Sequence, residues 1–419
     1  MANASDDKIT AEDLRGFKKL RRIRDLLASL HQVGCDRDKA GNRELHFDDY
    51  VVLSLLYLMN PLIDSLRTLQ KVAELPEVQK RLGIKRFSLG SFSESCRVFD
   101  PQKLQEVVAQ LTGKLQPLDR HELFGRLPGK LTLVDSTLLQ TLSTVTQAVF
   151  MPHAHGPYRH AWRLHLQLDV DHHVPSNWEV TPPKNTGKCD EKNVLRRNLQ
   201  AGHTYVMDRW YAQFVLWNDI TAAGSSYVCR VRDNSVYEVL EDRPLTPEAQ
   251  EAGILSDQVV HIGLSKRQDQ RANHPTRLIC VKCTPHQKRG KSQKKGNGQT
   301  GPTSDGTLRI VTDMQEVPAH VIAFLYQYRW MIEVFFRFLK RILGLRHLVS
   351  NKPEGVQIQV YAAVICCMML NSLTGVKPNK WLVTLMTLYL QGLASEADVL
   401  KELKRLGVPI AEGSEKLAS

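Results

Sequence analysis

LTLVDSTLLQTL, residues Leu131–Leu142, is where the chain changes period. Before it, apolar residues recur three and four apart, as on helix faces. From Leu131 they arrive almost without interruption and with β-branched neighbours, as in a buried strand. The next ordered pattern, AWRLHLQLDV (Ala161–Val170), alternates. Trp162, Leu164, Leu166 and Leu168 fall on one face, Arg163, His165, Gln167 and Asp169 on the other. Pro175–Val180 makes a third strand after a turn at Asp171–His173, so three successive strands form a meander. Asp190–Leu199 then reads as a helix, Thr204–Met207 as a short strand ending at Asp208, Ala212–Ala223 as a helix and Ser226–Val231 as another strand.

The order β-β-β-α-β-α-β is that of the ribonuclease H-like fold. In such a sheet the first and fourth strands lie side by side, which makes Asp135 and Asp208 neighbours. A carboxylate in a strand as apolar as the one before Asp135 is costly unless it is paired or bound to metal. The bland alternative is an aspartate that caps a turn. Residues 232–307 interrupt the fold, with strands at Val259–Leu264 and Thr276–Val281. They end in a Lys-, Gly-, Gln- and Ser-rich stretch, Lys288–Gly306, of loop character. Between Lys266 and Lys295 stand ten Lys or Arg residues against a single acid, Asp269. Leu308–Val311 returns to the main sheet.

The second decisive stretch follows: VIAFLYQYRWMIEVFFRFLKRILGLRHL, Val321–Leu348, free of Gly and Pro until Gly344. Its spacing predicts one helix of about six turns. Tyr326, Arg329, Glu333 and Lys340 fall on one side of it. One carboxylate, two cations and a phenol on an otherwise packing helix suit a metal ion beside a polyanion. An ordinary i,i+4 ion pair between Arg329 and Glu333 is the competing explanation. Three carboxylates, Asp135, Asp208 and Glu333, without a matching His or Cys set favour a hard ion, Mg2+ or Mn2+. Two such ions suit phosphodiester chemistry.

Helices flank this core. Glu12–Val33 reads as helical with a basic face from Lys18, Lys19, Arg21, Arg22 and Arg24. Val51–Met59 and Ile63–Val72 follow, then short helices between Leu75 and Asp100, and Gln102–Leu115. Lys85 and Arg86, between two short helices, would suit a DNA-contacting turn, although a plain helical bundle is the simpler account. Beyond the core come helices at Gln357–Leu370, Trp381–Leu390 and Ala394–Leu406. Their apolar stripes must be buried either on the chain itself or against a second copy. The expected organisation is α/β: a ribonuclease H-like core in two parts (128–231 and 308–350), interrupted by a mostly β, basic insertion (232–307). A helical DNA-binding region (1–120) and a C-terminal helical region with a dimerisation role (351–419) complete it.

Over 419 residues the formal net charge is +12, which suggests an anionic partner. Eight irregularly spread cysteines and no leader sequence suggest a reducing, cytoplasmic protein. The apolar run Val360–Leu370 is too short to span a bilayer, so no membrane role is expected. Cys280 and Cys283 form one C-x2-C pair without a second, an incomplete zinc pattern even with His274 and His286 near. The histidines between His153 and His173 lack ligand spacing. No phosphate-loop motif is present, so no nucleotide cofactor is expected.

Tyr326, Arg329, Glu333 and Lys340 resemble, in type and spacing, the Y-(2)-R-(3)-E-(6)-K signature of a group of bacterial insertion-sequence DDE transposases. YQYRWMIEVFFRFLKRILGLRHL resembles the surroundings of that signature. LTLVDST and VMDRWY resemble its two aspartate blocks, with Trp210 where glycine is often found. The resemblance covers roughly Leu131–Leu348 and is weak over residues 1–115. It implies Asp135, Asp208 and Glu333 as catalytic ligands of two Mg2+ ions, with Mn2+ able to substitute. Tyr326 and Arg329 would hold the transposon end, and Lys340 would contact phosphate. Arg209, Lys288, Arg289 and Lys291 are further DNA-contact candidates. The implied partners are duplex DNA with terminal inverted repeats, target DNA and a second copy of the chain in a synaptic dimer, at the bacterial nucleoid. Cut-and-paste transposition is the implied activity. A non-catalytic DNA-binding regulator and a nuclease without strand transfer are the alternatives.

Overall fold

The computed structural model describes residues 8–18, 21–35, 43–60, 62–115, 117–118, 121–140, 161–263, 271–283, 306–341, 343–345, 348–350, 352–376 and 379–411. Nine strands form one mixed, open sheet: β1 (Lys130–Gln140), β2 (Ala161–Asp169), β3 (Val174–Thr181), β4 (His203–Met207), β5 (Ser226–Arg230), β6 (Tyr237–Asp242), β7 (Ile254–Ile262), β8 (Thr276–Lys282) and β9 (Thr307–Thr312). Their spatial order is β3-β2-β1-β4-β5-β9-β8-β7-β6. β1, β4 and β5 are parallel neighbours, and the remaining pairs are antiparallel. The ribonuclease H-like order expected from the sequence is therefore met, with first and fourth strands adjacent. The strands of the insertion do not form a separate layer. β9 pairs with β5 on one side and β8 on the other, so β8, β7 and β6 extend the same sheet.

Both faces of the central strands are covered, which is why their sequences are nearly continuous in apolar residues. Leu131, Leu133, Val206 and Val228 belong to a core on one face. Val134, Tyr205, Met207 and Tyr227 join Leu216, Trp217 and Ile220 in a second core on the other. The alternation along β2 accordingly separates two buried faces rather than an inside from an outside. His165, Gln167 and Asp169 are all buried. The His165 ring pairs with Thr181 Oγ1 at 2.9 Å, and Gln167 Nε2 donates to the Asn198 carbonyl at 3.0 Å. β1 starts from Gly129, whose φ of +149° favours glycine. A Cβ there would collide with the Gly202 carbonyl that accepts the Lys130 N–H at 2.9 Å.

Among the described residues seven α-helices precede the sheet: α1 (Ala11–Lys18), α2 (Arg21–Leu27), α3 (Phe47–Met59), α4 (Leu66–Ala73), α5 (Pro76–Leu82), α6 (Leu89–Ser95) and α7 (Leu104–Thr112). Ser65 and Ser88 cap α4 and α6 by accepting N–H bonds from Thr68 and Ser91. The single helix expected over Glu12–Val33 is two helices and a 3-10 turn. Arg24, expected on a basic outer face, turns inward. Its guanidinium donates to Asp49 at 3.0 Å and to the Leu82 carbonyl at 2.8 Å. The side chains of Lys18, Lys19, Arg21 and Arg22 lie outside the described residues. Within the sheet region run α8 (Glu191–Arg197), α9 (Phe214–Ala222) and α10 (Pro247–Glu251).

The long helix expected over Val321–Leu348 is α11 (Ala319–Tyr328) followed by α12 (Trp330–Arg341). At the joint the Arg329 and Ile332 N–H groups bond three residues back, to the carbonyls of Tyr326 and Arg329. α13 (Pro353–Thr374) is long and apolar enough to cross a membrane and is buried along almost its whole length. α14 (Lys380–Leu390) and α15 (Glu396–Arg405) close the helical layer. Most of their apolar stripes is buried within the chain, Leu382, Leu385, Met386 and Tyr389 on one and Val399, Leu400 and Leu403 on the other, whereas Leu406 is partly buried and Trp381 is exposed. Ile9 bridges to Ile410, and Arg15 reaches Glu396 at 3.3 Å, joining the first and last helical segments.

Candidate active site

The parallel ladder between β1 and β4 ends with Leu133 opposite Val206. Two residues beyond that pair on each strand stand Asp135 and Asp208. Register therefore sets the two carboxylates level on adjacent strands. Asp135 is still paired on its other side, with Leu166 of β2. Its Oδ1 accepts the Ser136 N–H at 2.7 Å. Asp208 leaves β4 and caps a 3-10 turn, Arg209–Tyr211, by accepting the Trp210 N–H at 2.8 Å. Tyr211, fully buried beneath, anchors the turn.

The joint between α11 and α12 delivers the third carboxylate. Arg329 Nη2 donates to Glu333 Oε1 at 2.6 Å, and its Nη1 lies 3.6 Å from Asp135 Oδ2. One guanidinium thus bridges a strand carboxylate and a helix carboxylate. Burial pushes the Asp135 carboxyl up to about 7. The nearby charges of Asp208 and Glu191 add to that, while the Ser136 N–H and Arg329 oppose it. Tyr326 sits within the electrostatic reach of Arg329, Arg230 and Asp208, and burial raises its phenol above the ordinary value. Lys340, three turns along, reaches β1: its Nζ donates to Thr137 Oγ1 at 2.5 Å, and burial lowers its pKa. Arg329 and Lys340 therefore reach β1, while Tyr326 lies toward Arg230 and Cys229 of β5 and toward Asp208.

A fourth carboxylate stands in the same neighbourhood. Glu191, in the first turn of α8, is buried and takes a 2.6 Å bond from Arg163 Nη1. The same Nη1 donates to Ser136 Oγ at 3.0 Å, beside Asp135. Burial raises the Glu191 carboxyl, and Asp208 contributes in the same direction. In the sequence, Asp190-Glu191 reads as a pair of acids suited to a helix start, which hides the second one.

An open cleft of roughly 800 Å3 leads from Tyr326, Arg329 and Trp330 toward Lys282, Cys283 and Glu248. Arg209 is exposed on the turn after Asp208. Lys288, Arg289 and Lys291, and the histidines between His153 and His160, lie outside the described residues, as does His286. Cys280 is buried in β8, and His274 pairs with the Tyr227 hydroxyl at 3.0 Å. The donors around Asp135 are all hard oxygens, four carboxylates against the guanidinium groups of Arg329 and Arg163, and their type suits Mg2+ or Mn2+. Among the described residues no three His, Cys, Asp or Glu side chains form a ready cage. Arg329 holds Asp135 and Glu333 instead.

Residues 126–370 match the family described as Transposase DDE domain. The Sinorhizobium fredii protein y4zB, named as a transposase, is 26% identical over 266 residues, which cover 63% of this chain and 65% of that one. The probable transposase for insertion sequence element IS5377 of Geobacillus stearothermophilus is 23% identical, over 69% of this chain and 68% of that one. The transposase for insertion sequence element IS231C of Bacillus thuringiensis subsp. berliner is 24% identical, over 50% and 49%. The chain thus spans about two thirds or less of the length of these relatives. A piggyBac transposase synaptic complex with hairpin DNA aligns at a TM-score of 0.43 and 10% identity, covering 99% of this chain and 86% of that one. That likeness is too loose to bear on fold or function.

Proposed function

The chain belongs to the family of transposase DDE domains, and from that premise we propose that it cuts the ends of an insertion sequence and joins them to target DNA. The observation that carries this reading is the level placement of Asp135 and Asp208 by the β1–β4 register, with Arg329 linking Asp135 to Glu333. Asp135, Asp208 and Glu333 are the residues that would hold divalent cations. When bound, two Mg2+ ions lower the barrier by stabilising charge on the attacking and leaving oxygens.

The chain's own groups do the rest. Arg329 is positioned to trade its carboxylate partners for a phosphate, which it can bind bidentately. Lys340, on Thr137 in the free protein, supplies a point charge to the backbone further along. Tyr326 closes the cleft beside the scissile phosphate. In the first step a water oxygen bonds to phosphorus and the bond to the 3′ oxygen breaks, leaving a 3′-hydroxyl on the element. In the second, that hydroxyl oxygen bonds to a target phosphorus, loses its proton, and the target's own 3′ oxygen departs. Two ends and two copies of the chain in one complex would make excision and insertion concerted. The Y-(2)-R-(3)-E-(6)-K spacing and the +12 charge support this assignment.

The test is cleavage and strand transfer on duplexes carrying the DNA that flanks the gene, in Mg2+. End-specific nicking that Asp135→Asn, Asp208→Asn and Glu333→Gln each abolish, with end binding kept, is the expected result. Undiminished cutting by any of the three would refute it.

A further inference from the structure

The parallel strands β1, β4 and β5 end side by side, and each delivers a charged residue to the same face. Leu133, Val206 and Val228 share a core with Ile322 and Leu325 of α11 and Ile332 of α12. Val134, Met207 and Cys229, the next residue of each strand, lie in the core on the other face. Alternation then returns Asp135, Asp208 and Arg230 to the face of α11 and α12. The ladder makes the three level, because Leu133 stands opposite Val206 and Met207 opposite Cys229. Two of them are carboxylates of the site. The third is a cation, and it differs from the other guanidiniums nearby. Arg329 is held by Glu333 and Arg163 by Glu191, each at 2.6 Å. Asp208 turns its carboxylate to the Trp210 N–H and leaves Arg230 unanswered. Arg230 is partly buried, and its Nε is shut off from solvent without a hydrogen-bond partner. Among the described residues its guanidinium forms no ion pair. A buried charge without a partner costs stability until one arrives. The Tyr326 hydroxyl lies within the electrostatic reach of Arg230 as well as of Arg329. A free guanidinium and a phenol on one face suit an anion, and arginine binds phosphate through two N–H groups at once.

We propose that Arg230, with the Tyr326 hydroxyl, forms a phosphate subsite beside Asp208 that holds the backbone of the bound strand. The inference rests on the transposase reading, because that reading puts DNA at Asp208. Arg329 must release a carboxylate before it can take a phosphate. Arg230 has no partner to release, so its whole charge is available to DNA and its loss costs the fold nothing. The contact is ionic, and salt weakens it.

The experiment uses the full chain and an end duplex from the DNA flanking the gene, in Ca2+, with affinity read by fluorescence anisotropy. Each backbone phosphate near the end is replaced in turn by an uncharged methylphosphonate. At one position the wild-type protein loses about 10-fold in affinity, and Arg230→Gln loses about the same on the unmodified duplex. On that modified duplex Arg230→Gln loses nothing more. Arg230→Lys keeps part of the affinity, and the slope of log affinity against log salt falls by about one with Arg230→Gln. Without DNA, Arg230→Gln melts no lower than the wild type. The methylphosphonate scan on the wild-type protein needs no variant to fold. Equal binding by wild type and Arg230→Gln on every duplex overturns the proposal, as does a loss that is the same at all modified positions. A clearly lower Tm for Arg230→Gln overturns it too, by making Arg230 a residue of the fold. An Arg230-dependent position on a duplex that is never cut in Mg2+ upholds the subsite and defeats the cleavage reading. Cutting with no such position does the reverse.

Discussion

Two arginines meet aspartates of this sheet, Arg277 fully buried and Arg329 partly so, and they are treated differently. Arg277 on β8 meets Asp257 on β7 through both carboxylate oxygens, at 2.7 and 2.6 Å. Its remaining N–H groups reach the carbonyls of Met314, Gln315 and Val317. Donors and acceptors are matched, and the pair ties the β7–β8 hairpin to the segment that leads into α11. Arg329 has a 2.6 Å bond to Glu333 and only a 3.6 Å approach to Asp135, which also feels Asp208 and Glu191. Glu191 has Arg163, but Arg329 alone must serve the other acids. A closed pair is structure. A site with surplus negative charge holds its carboxylates for something that arrives later.

The largest expected effect separates chemistry from folding. Asp135→Asn, Asp208→Asn and Glu333→Gln should each lose at least about 10^4-fold in end cleavage, with little change in end binding. Asp257→Asn should lose no more activity than its unfolded fraction accounts for. Burst kinetics on a labelled end duplex measure both. Next, Arg277→Ala leaves Asp257 buried without its partner and should cost about 3–5 kcal/mol in urea unfolding. Arg329→Ala should cost under about 1–2 kcal/mol, because Asp135 can take up a proton instead. Equal losses for the two would erase the distinction between them.

A smaller effect concerns pH. The Asp135 carboxyl is raised to about 7 in the folded protein, from an ordinary value near 3.8. Between about pH 4 and 7 the folded state holds a proton that the unfolded state has released. Stability of the metal-free protein therefore falls as pH rises through that window. In EDTA at pH 8, Asp135→Asn should be the more stable protein by about 1–3 kcal/mol, a few degrees in Tm. The gap should close toward pH 4, and Mg2+ should narrow it at pH 8 by stabilising the wild type. Matching melting curves at pH 8 in EDTA would mean that Asp135 is not under strain. Smallest of all, Lys340→Gln should reduce the salt slope of end binding by about one and leave Tm within a degree or two. An unchanged slope would keep Lys340 on Thr137 and off the DNA.

The order of strands and the adjacency of Asp135 to Asp208 were legible because periodicity and topology rules act locally and then prune. The break at Arg329 was not. Nothing in YQYRWMIE is a helix breaker, and Arg329 itself keeps helical dihedrals (φ −48°, ψ −32°); the joint is a local tightening to bonds three residues back, which no residue type announces. β6 was missed because it is a sheet edge. Val239 and Leu240 are exposed among acids, so YEVLED carries neither an alternating nor a continuous apolar pattern. Arg24 looked like part of a basic helix face, and only the fold reveals Asp48 and Asp49 beneath it. Glu191 shows the same limit from the opposite side. A residue whose partners are Arg163 and Ser136, on two different strands, has no signature along the chain.

The place of β9 between β5 and β8 has a consequence for synthesis. β5 ends at Arg230 and β9 begins at Thr307. At about 5–20 residues per second, a ribosome needs roughly 4–15 s to deliver the second after the first. Throughout that interval the β5 backbone is an open edge in the middle of the future sheet, while β7 and β8, close in sequence, can already pair. The nascent chain should thus be most vulnerable just before β9 emerges. Ribosome-bound chains stalled after residue 300 should be cut by protease within the first half of the sheet, and those stalled after residue 350 should resist.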